Sequence, residues 1–400
     1  MPPPVSPVSL LLILAAMPLA VGATKCPCET EDLCAPVVAR RAKEVWGFDG
    51  SNDTYPFVDW SQLSMVLWNR HPEVMCAAHA HGARVVDAAR LTSVPDWEEM
   101  LLDKTARDTW LLGLLTDAVE NHLDGINFDL EVPMRAGSAL CDAYTAAVSR
   151  AADLFHKAIP GSLVSVDVAW SPYNVDGRSY DYVNLAEAAD LLFVMSYDLQ
   201  GQVWGRCIAQ ANSPIEQVER GLYEFLHMGI PASKLVLGVP WYGYDYPCVT
   251  AMDGRGAELD TDFCPIDHLS YFNCSCSDLA GAQTKYKDIM AIYDTNRTTD
   301  IRWEPYLKAP YFNYRDGAGG VHQLWFDNPD SLTLKYRLAA ELGLRGVGFW
   351  AMDMLDYGSD DEAVRQQTDA MWQALKAFTQ AGGPPGVPSD GDCEADWAAT

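Results

Sequence analysis

Between Glu44 and Phe378, apolar runs rich in β-branched residues alternate with stretches of helical periodicity. Strands in such a chain are parallel and covered on both faces. Eight runs can be counted, and carboxylates and large aromatics gather at their C-terminal ends. Together these observations predict an α/β protein built as a (β/α)8 TIM barrel, with its site at the strand C-termini. The excess length sits between the seventh and eighth strands, at about residues 243–322. That interval holds four cysteines and two Asn-x-Ser/Thr sequons with little helical periodicity, and is expected to be a disulfide-stapled insertion.

The elements follow in order. Glu44 to Asp49 is the first strand and Gln62 to Trp68 the second. Glu73 to His81 is helical and closes at Gly82, a residue suited to the left-handed position after a helix. His79 and His81, near that C-terminus, are expected to complement the helix dipole rather than to hold a metal. Ala83 to Asp87 is the third strand, and Asp96 to Asn121 a helix. Asp124 to Glu131 is the fourth strand. Its alternation puts Ile126, Phe128 and Leu130 on one face and Asn127, Asp129 and Glu131 on the other. Pro133 cannot donate to a ladder and stops it. A helix from Ser138 to Ile159 precedes the fifth strand, Leu163 to Trp170, and Leu191 to Tyr197 is the sixth. After a helix from Ile215 to Met228 comes the seventh, Lys234 to Trp241. Helices from Ser331 to Leu342 and from Glu362 to Phe378 flank the eighth, Arg345 to Ala351.

Outside the barrel, residues 1–23 have an apolar core, Leu10 to Val21, followed by small residues, as in a secretory signal peptide. Residues 24–43 form a cysteine-containing leader, the barrel with its insertion spans 44–380, and a Gly/Pro-rich, acidic tail from 381 to 400 is expected to be disordered. The 11 cysteines cluster as Cys26, Cys28 and Cys34 and as Cys264, Cys274 and Cys276; in a secreted chain such clusters are disulfides. Sequons stand at Asn52, Asn273 and Asn296. With 28 basic against 55 acidic residues the net charge is −27, which argues against nucleic acid or a membrane surface as partner. A monomer that is lumenal or extracellular is the expectation.

The strand ends collect Glu131 and Asp129, Asp167 and Trp170, Tyr197 and Asp198, Trp241 and Tyr242, and Trp350. Acids among large aromatics suit a carbohydrate, since flat rings stack on sugar faces while carboxyls handle hydroxyls and the glycosidic oxygen. No Walker loop, Gly-x-Ser-x-Gly or zincin motif is found.

Asp124-Gly-Ile-Asn127-Phe-Asp129-Leu-Glu131 resembles the Asp-x-x-Asp-x-Asp-x-Glu signature of the family 18 glycoside hydrolases, the chitinase family. Met195-Ser-Tyr197-Asp198 is similar to that family's Met-x-Tyr-Asp, and Trp350 to its tryptophan ending the eighth strand. The resemblance implies Glu131 as general acid and then base, and the substrate's own acetamido oxygen as nucleophile, with retention. It implies that Asp129 holds the acetamido N–H and that Tyr197 donates to its oxygen. Trp350, Asp198, Asn127, Asp124, Met195, Asp167, Trp170, Trp241 and Tyr242 would contact substrate. A carboxylate close to Glu131 is expected to disfavour its ionisation. The departure is Asn127, where the family usually has an Asp. An amide cannot share a proton with Asp129, so that coupled titration is expected to be absent, with Asn127 positioning Asp129 by donating a hydrogen bond. The Cys-Pro-Cys leader, Asp167-Val-Ala-Trp-Ser-Pro and Val239-Pro-Trp-Tyr-Gly-Tyr-Asp-Tyr resemble the lysosomal branch of the family, which splits the N-acetylglucosamine pair at the core of Asn-linked oligosaccharides. The implied partner is an oligosaccharide, an N-glycan core fragment or a chito-oligosaccharide, with no cofactor or metal. A secreted endo-acting chitinase and a non-catalytic chitinase-like lectin are the alternatives.

Overall fold

The computed structural model describes residues 25–201, 206–249, 258–272 and 274–382. The expected signal peptide, nearly all of the acidic tail and the sequon at Asn273 lie outside these residues. Eight parallel strands close a barrel in the order β1-β13-β7-β6-β5-β4-β3-β2. They are β1 (Glu44–Phe48), β2 (Met65–Leu67), β3 (Arg84–Ala88), β4 (Gly125–Asp129), β5 (Leu163–Ala169), β6 (Leu191–Met195), β7 (Leu235–Pro240) and β13 (Gly346–Trp350). Helices α1 (Pro72–Ala80), α2 (Trp97–Leu102), α3 (Lys104–Glu120), α4 (Ala139–Ala158), α5 (Tyr182–Ala188), α6 (Ile215–His227), α8 (Pro329–Glu341), α9 (Glu362–Ala374) and α10 (Lys376–Thr379) accompany them. The helix expected over Asp96 to Asn121 is two. Asp103 leaves helical geometry between them and its carboxylate caps α3, accepting from the amides of Thr105 and Ala106.

Strand parity divides the core. Trp46, Phe48, Met65, Leu67, Leu191 and Phe193 fill the barrel interior. Val45, Val66, Ile126, Phe128 and Val347 pack outward among the helices. Phe193 lies across the interior, stacked on Trp46 at 5.8 Å. Its ring requires glycine on two strands, because a Cβ at Gly238 would stand 2.4 Å from Cζ and one at Gly348 2.8 Å from Cε2.

The interval after β7 is more regular than its periodicity suggests. It folds as a five-stranded antiparallel sheet, in order β10-β11-β12-β8-β9. The strands are β8 (Tyr242–Pro247), β9 (Ala282–Lys285), β10 (Arg302–Glu304), β11 (Ala309–Arg315) and β12 (Val321–Phe326), with one helix, α7 (Tyr286–Asn296). The last of these strands runs past the expected end at residue 322. Disulfide Cys248–Cys264 closes a loop within it, and Cys207–Cys276 ties it to the segment after β6. The leader is stapled by Cys26–Cys34 and, onto α1, by Cys28–Cys76. Cys141 and Cys274 are free and buried. Among the described residues no helix is long and apolar enough to cross a membrane.

Candidate active site

The strand C-termini open onto a cavity of about 420 Å³ lined by Asp129, Glu131, Asp167, Trp170, Met195, Tyr197, Asp198, Tyr242 and Trp350, nine residues singled out in the sequence. β4 delivers the first two. Asn127 and Asp129 point into the barrel, while Phe128 packs outward on Trp110 and Tyr144. The strand ends at Asp129, and the turn beyond is fixed by Tyr180, whose hydroxyl donates to the carbonyl of Leu130 at 2.6 Å and accepts from the amide of Val132 at 3.2 Å. That clamp delivers Glu131 to the mouth, half exposed and ion-paired with Arg178 at 2.6 Å.

Arg178 is buried and has no counterpart in the sequence reading. Its other Nη meets Asp176 at 3.1 Å and its Nε donates to the carbonyl of Val175. Trp68, at the end of β2 with φ of 69°, was also missed. Its Nε1 donates to Oδ1 of Asn127 at 2.8 Å, and its ring meets Trp350 edge-on at 5.1 Å. Trp68 and Trp350 form a wall shared with a second hollow of about 690 Å³, lined on its far side by Asp49, Asn69, Arg90 and Asp353.

Burial raises the acids of this site. The carboxyl of Asp129 is pushed up to about 7, by burial first and then by the charge of Glu131, with Arg178 opposing. Asp167 is held well above the ordinary range by burial and by Asp129. Asp198 rises to about 6 through burial, against the hydroxyls of Tyr242 and Tyr244, which donate to it at 2.5 and 3.1 Å. Asp278, from the insertion, rises to about 7 through burial and the charge of Asp198. The Tyr197 hydroxyl has no hydrogen-bond partner among the described residues and faces the same cavity. Burial raises its phenol as well.

Three expectations are corrected. Asn127 does not position Asp129. Its Oδ1 is taken by Trp68, and its amide donates to Ser165 Oγ at 3.0 Å and Asp167 Oδ1 at 2.8 Å, leaving no donor. Asp124 lies at the opposite end of the barrel, before β4. There its carboxylate is buried and accepts from the amides of Val37 and Val85 at 2.8 Å and meets His79 Nε2 at 2.9 Å. Its work is to anchor leader, helix and strand, not to touch substrate. Trp241 is fully buried outside the barrel, stacked on Phe349 at 3.6 Å with Trp372 edge-on at 5.2 Å. His79 thereby belongs to a structural pair, and His81 caps α1 against the carbonyl of Ala77. Asn52 and Asn296 are exposed.

A closed eight-stranded parallel barrel with clustered acids and aromatics at its C-terminal mouth is an arrangement suited to a carbohydrate. Residues 89–354 match the family described as glycosyl hydrolases family 18, and the chain belongs to it. It is 41% identical to the di-N-acetylchitobiase of Mus musculus over 91% of this chain and 96% of the relative. The di-N-acetylchitobiase of Homo sapiens is 42% identical over 90% of each. Among solved structures, the Ostrinia furnacalis Group IV chitinase, in complex with allosamidin, shares the fold at a TM-score of 0.64 and 18% identity, over 83% of this chain and 99% of that one. A class V chitinase from Nicotiana tobaccum gives 0.64 at 15% identity, over 85% and 100%. The protein is a glycoside hydrolase, and its substrate is a carbohydrate.

Proposed function

We propose that this hydrolase cleaves the β-1,4 bond of di-N-acetylchitobiose at the core of Asn-linked oligosaccharides, releasing the reducing-end N-acetylglucosamine. The reading is carried by one conjunction. Glu131, Asp129 and Tyr197 converge on a single cavity beside Trp350, in a chain that matches relatives named di-N-acetylchitobiase along nearly its whole length.

In this mechanism the cleaved sugar stacks on Trp350, and Glu131 protonates the glycosidic oxygen. The bond from the anomeric carbon to that oxygen breaks as the 2-acetamido carbonyl oxygen attacks the same carbon, giving a cyclic oxazolinium-type intermediate. Asp129 accepts the acetamido N–H and balances the positive charge, while the Tyr197 hydroxyl donates to the acetamido oxygen and holds it in line. Glu131, now a carboxylate facing Arg178, takes a proton from water, which opens the ring from the same face. Two inversions give retention. Asp198, fixed by Tyr242 and Tyr244, receives a sugar hydroxyl. The protein works in the lysosome, reached through the secretory pathway, as a glycosylated monomer; its large acidic excess suits solubility there.

The test is product analysis at about pH 4–5 with an Asn-free N-glycan carrying an isotopic label in its reducing-end sugar. Labelled single N-acetylglucosamine supports the reading. Internal cutting of chitin oligomers with the glycan untouched would make the protein a chitinase instead, and binding without hydrolysis a lectin.

A further inference from the structure

Asn127 leaves β4 one carboxyl short, yet the barrel carries another at the same level. Asp167 on β5 is the register partner of Asp129 on β4. Paired residues on neighbouring parallel strands point to the same side, about 5 Å apart, and both line the cavity. Asp167 is only 3% exposed, and the buried Oδ1 of Asp129 has no hydrogen-bond partner. Asn127 supplies a single N–H to this pair, and it goes to Asp167 Oδ1 at 2.8 Å. Two carboxylates this close in a buried site, served by one amide donor, cannot both ionise.

We propose that Asp167 is the positioning residue of the site, sharing one proton with Asp129 so that the pair carries a single negative charge, its location set by Asn127. The proton moves without net transfer. As Asp129 accepts the acetamido N–H, its own O–H bond breaks and one forms on the Asp167 oxygen that Asn127 does not occupy. The charge is then on Asp129, where the positive intermediate needs it. When the intermediate collapses the proton returns. The amide of Asn127 on β4 is the clamp that holds the Asp167 carboxyl on β5.

Other groups facing the pair do not supply this proton. Ser165 of β5 is engaged with Asn127. Tyr144 of α4 and Tyr197 after β6 are held as neutral phenols by burial. Glu131 at the mouth is paired with Arg178.

The catalytic half of this proposal rests on the role given to Asp129 above; the proton sharing does not, and the experiment separates them. Infrared difference spectra are taken across a pH titration of the full-length wild type, Asp167→Asn and the exchange variant Asn127→Asp/Asp167→Asn, without substrate. Besides the bands of Asp198 and Asp278, which all three proteins share, the wild type is expected to lose one buried protonated-carboxyl band near neutral pH. The midpoint of that band is expected to fall to lower pH in Asp167→Asn and to return in the exchange variant, which moves the carboxyl back to β4. In parallel, kcat is expected to fall more than tenfold in Asp167→Asn with KM little changed. The neutral limb of its pH profile should shift to lower pH, with rate and limb both recovering on exchange. A band and limb left at their wild-type pH by Asp167→Asn overturn the proposal, as does an exchange variant no better than the single one. If Asp167→Asn does not fold, the exchange variant is read directly against wild type, and a band midpoint well below the wild-type one there overturns the proposal. A wild type that shows the band but does not cleave chitobiose would refute the function, not the shared proton.

Discussion

Arg178 holds Glu131 at 2.6 Å, so the group assigned to protonate the leaving oxygen is docked on a buried guanidinium. The pairing fixes where the carboxyl waits. It also provides a cation for the carboxylate left after the proton has gone. Replacing Glu131 with Gln keeps the shape and the contact to Arg178 but removes the transferable proton. Turnover is expected to fall by roughly 10²–10⁴-fold with substrate affinity nearly intact. Binding by calorimetry alongside kcat checks this, and full turnover would remove Glu131 from its role.

Arg178→Met removes the anchor while preserving bulk. A hydrogen bond to a charged group contributes about 1.5–3 kcal/mol, so kcat is expected to fall by roughly 10- to 100-fold. Arg178→Lys, which keeps the charge without the planar fork, should recover only part of the loss. Equal rates for Met and wild type would reduce Arg178 to packing.

Tyr197→Phe deletes one donor aimed at the site of the developing intermediate. Loss of such a donor costs roughly 10²–10³ in kcat. Steady-state kinetics with a chitobiose substrate tests it, and an unchanged kcat would make Tyr197 a wall residue.

Thermal stability is expected to rise as pH falls from 7 towards 4. The Asp129, Asp198 and Asp278 carboxyls sit at about 7, 6 and 7 in the fold against an ordinary value of 3.8. Across that window the folded chain binds protons that the unfolded chain has released, and stability therefore falls as pH rises. Scanning calorimetry at intervals of pH reads the slope. Asp278→Asn should flatten it, and an unaltered slope would show that Asp278 ionises normally.

Asp124 and Trp241 should behave as structural residues. Asp124→Ala breaks a buried pair and is expected to cost about 3–5 kcal/mol. Trp241→Ala, which vacates the stack on Phe349, should cost a similar amount, about 3–5 kcal/mol. Denaturant titration measures both. KM of the folded fraction should not change, and a raised KM would return either residue to the site.

These two residues also mark how far the sequence could be read. The barrel was legible because its strands alternate so regularly. In β4 the parity of Ile126, Phe128 and Leu130 against Asn127 and Asp129 settles which side chains reach the interior. The same parity, carried along β7 from Val236 and Gly238, puts Trp241 outside, and would have excluded it. Asp124 precedes its strand, so it belongs to the end of the barrel away from the site. Arg178 and Asp278 had no such signal. They reach the cavity from the segment after β5 and from the insertion, and their places depend on a loop path and a disulfide, Cys207–Cys276, that no local pattern encodes. Asp167 was visible at a strand end. Its pairing with Asp129 was not, because register between distant segments is a property of the closed barrel.

The central claim is that Glu131 and the substrate's acetamido group together open the glycosidic bond, and stereochemistry tests it most directly. Proton NMR of the first product formed from a β-linked chitobiose substrate, recorded before mutarotation, shows the new anomeric centre. The account predicts the β-anomer first, by two inversions at one carbon. Initial release of the α-anomer would mean direct attack by water and would contradict it.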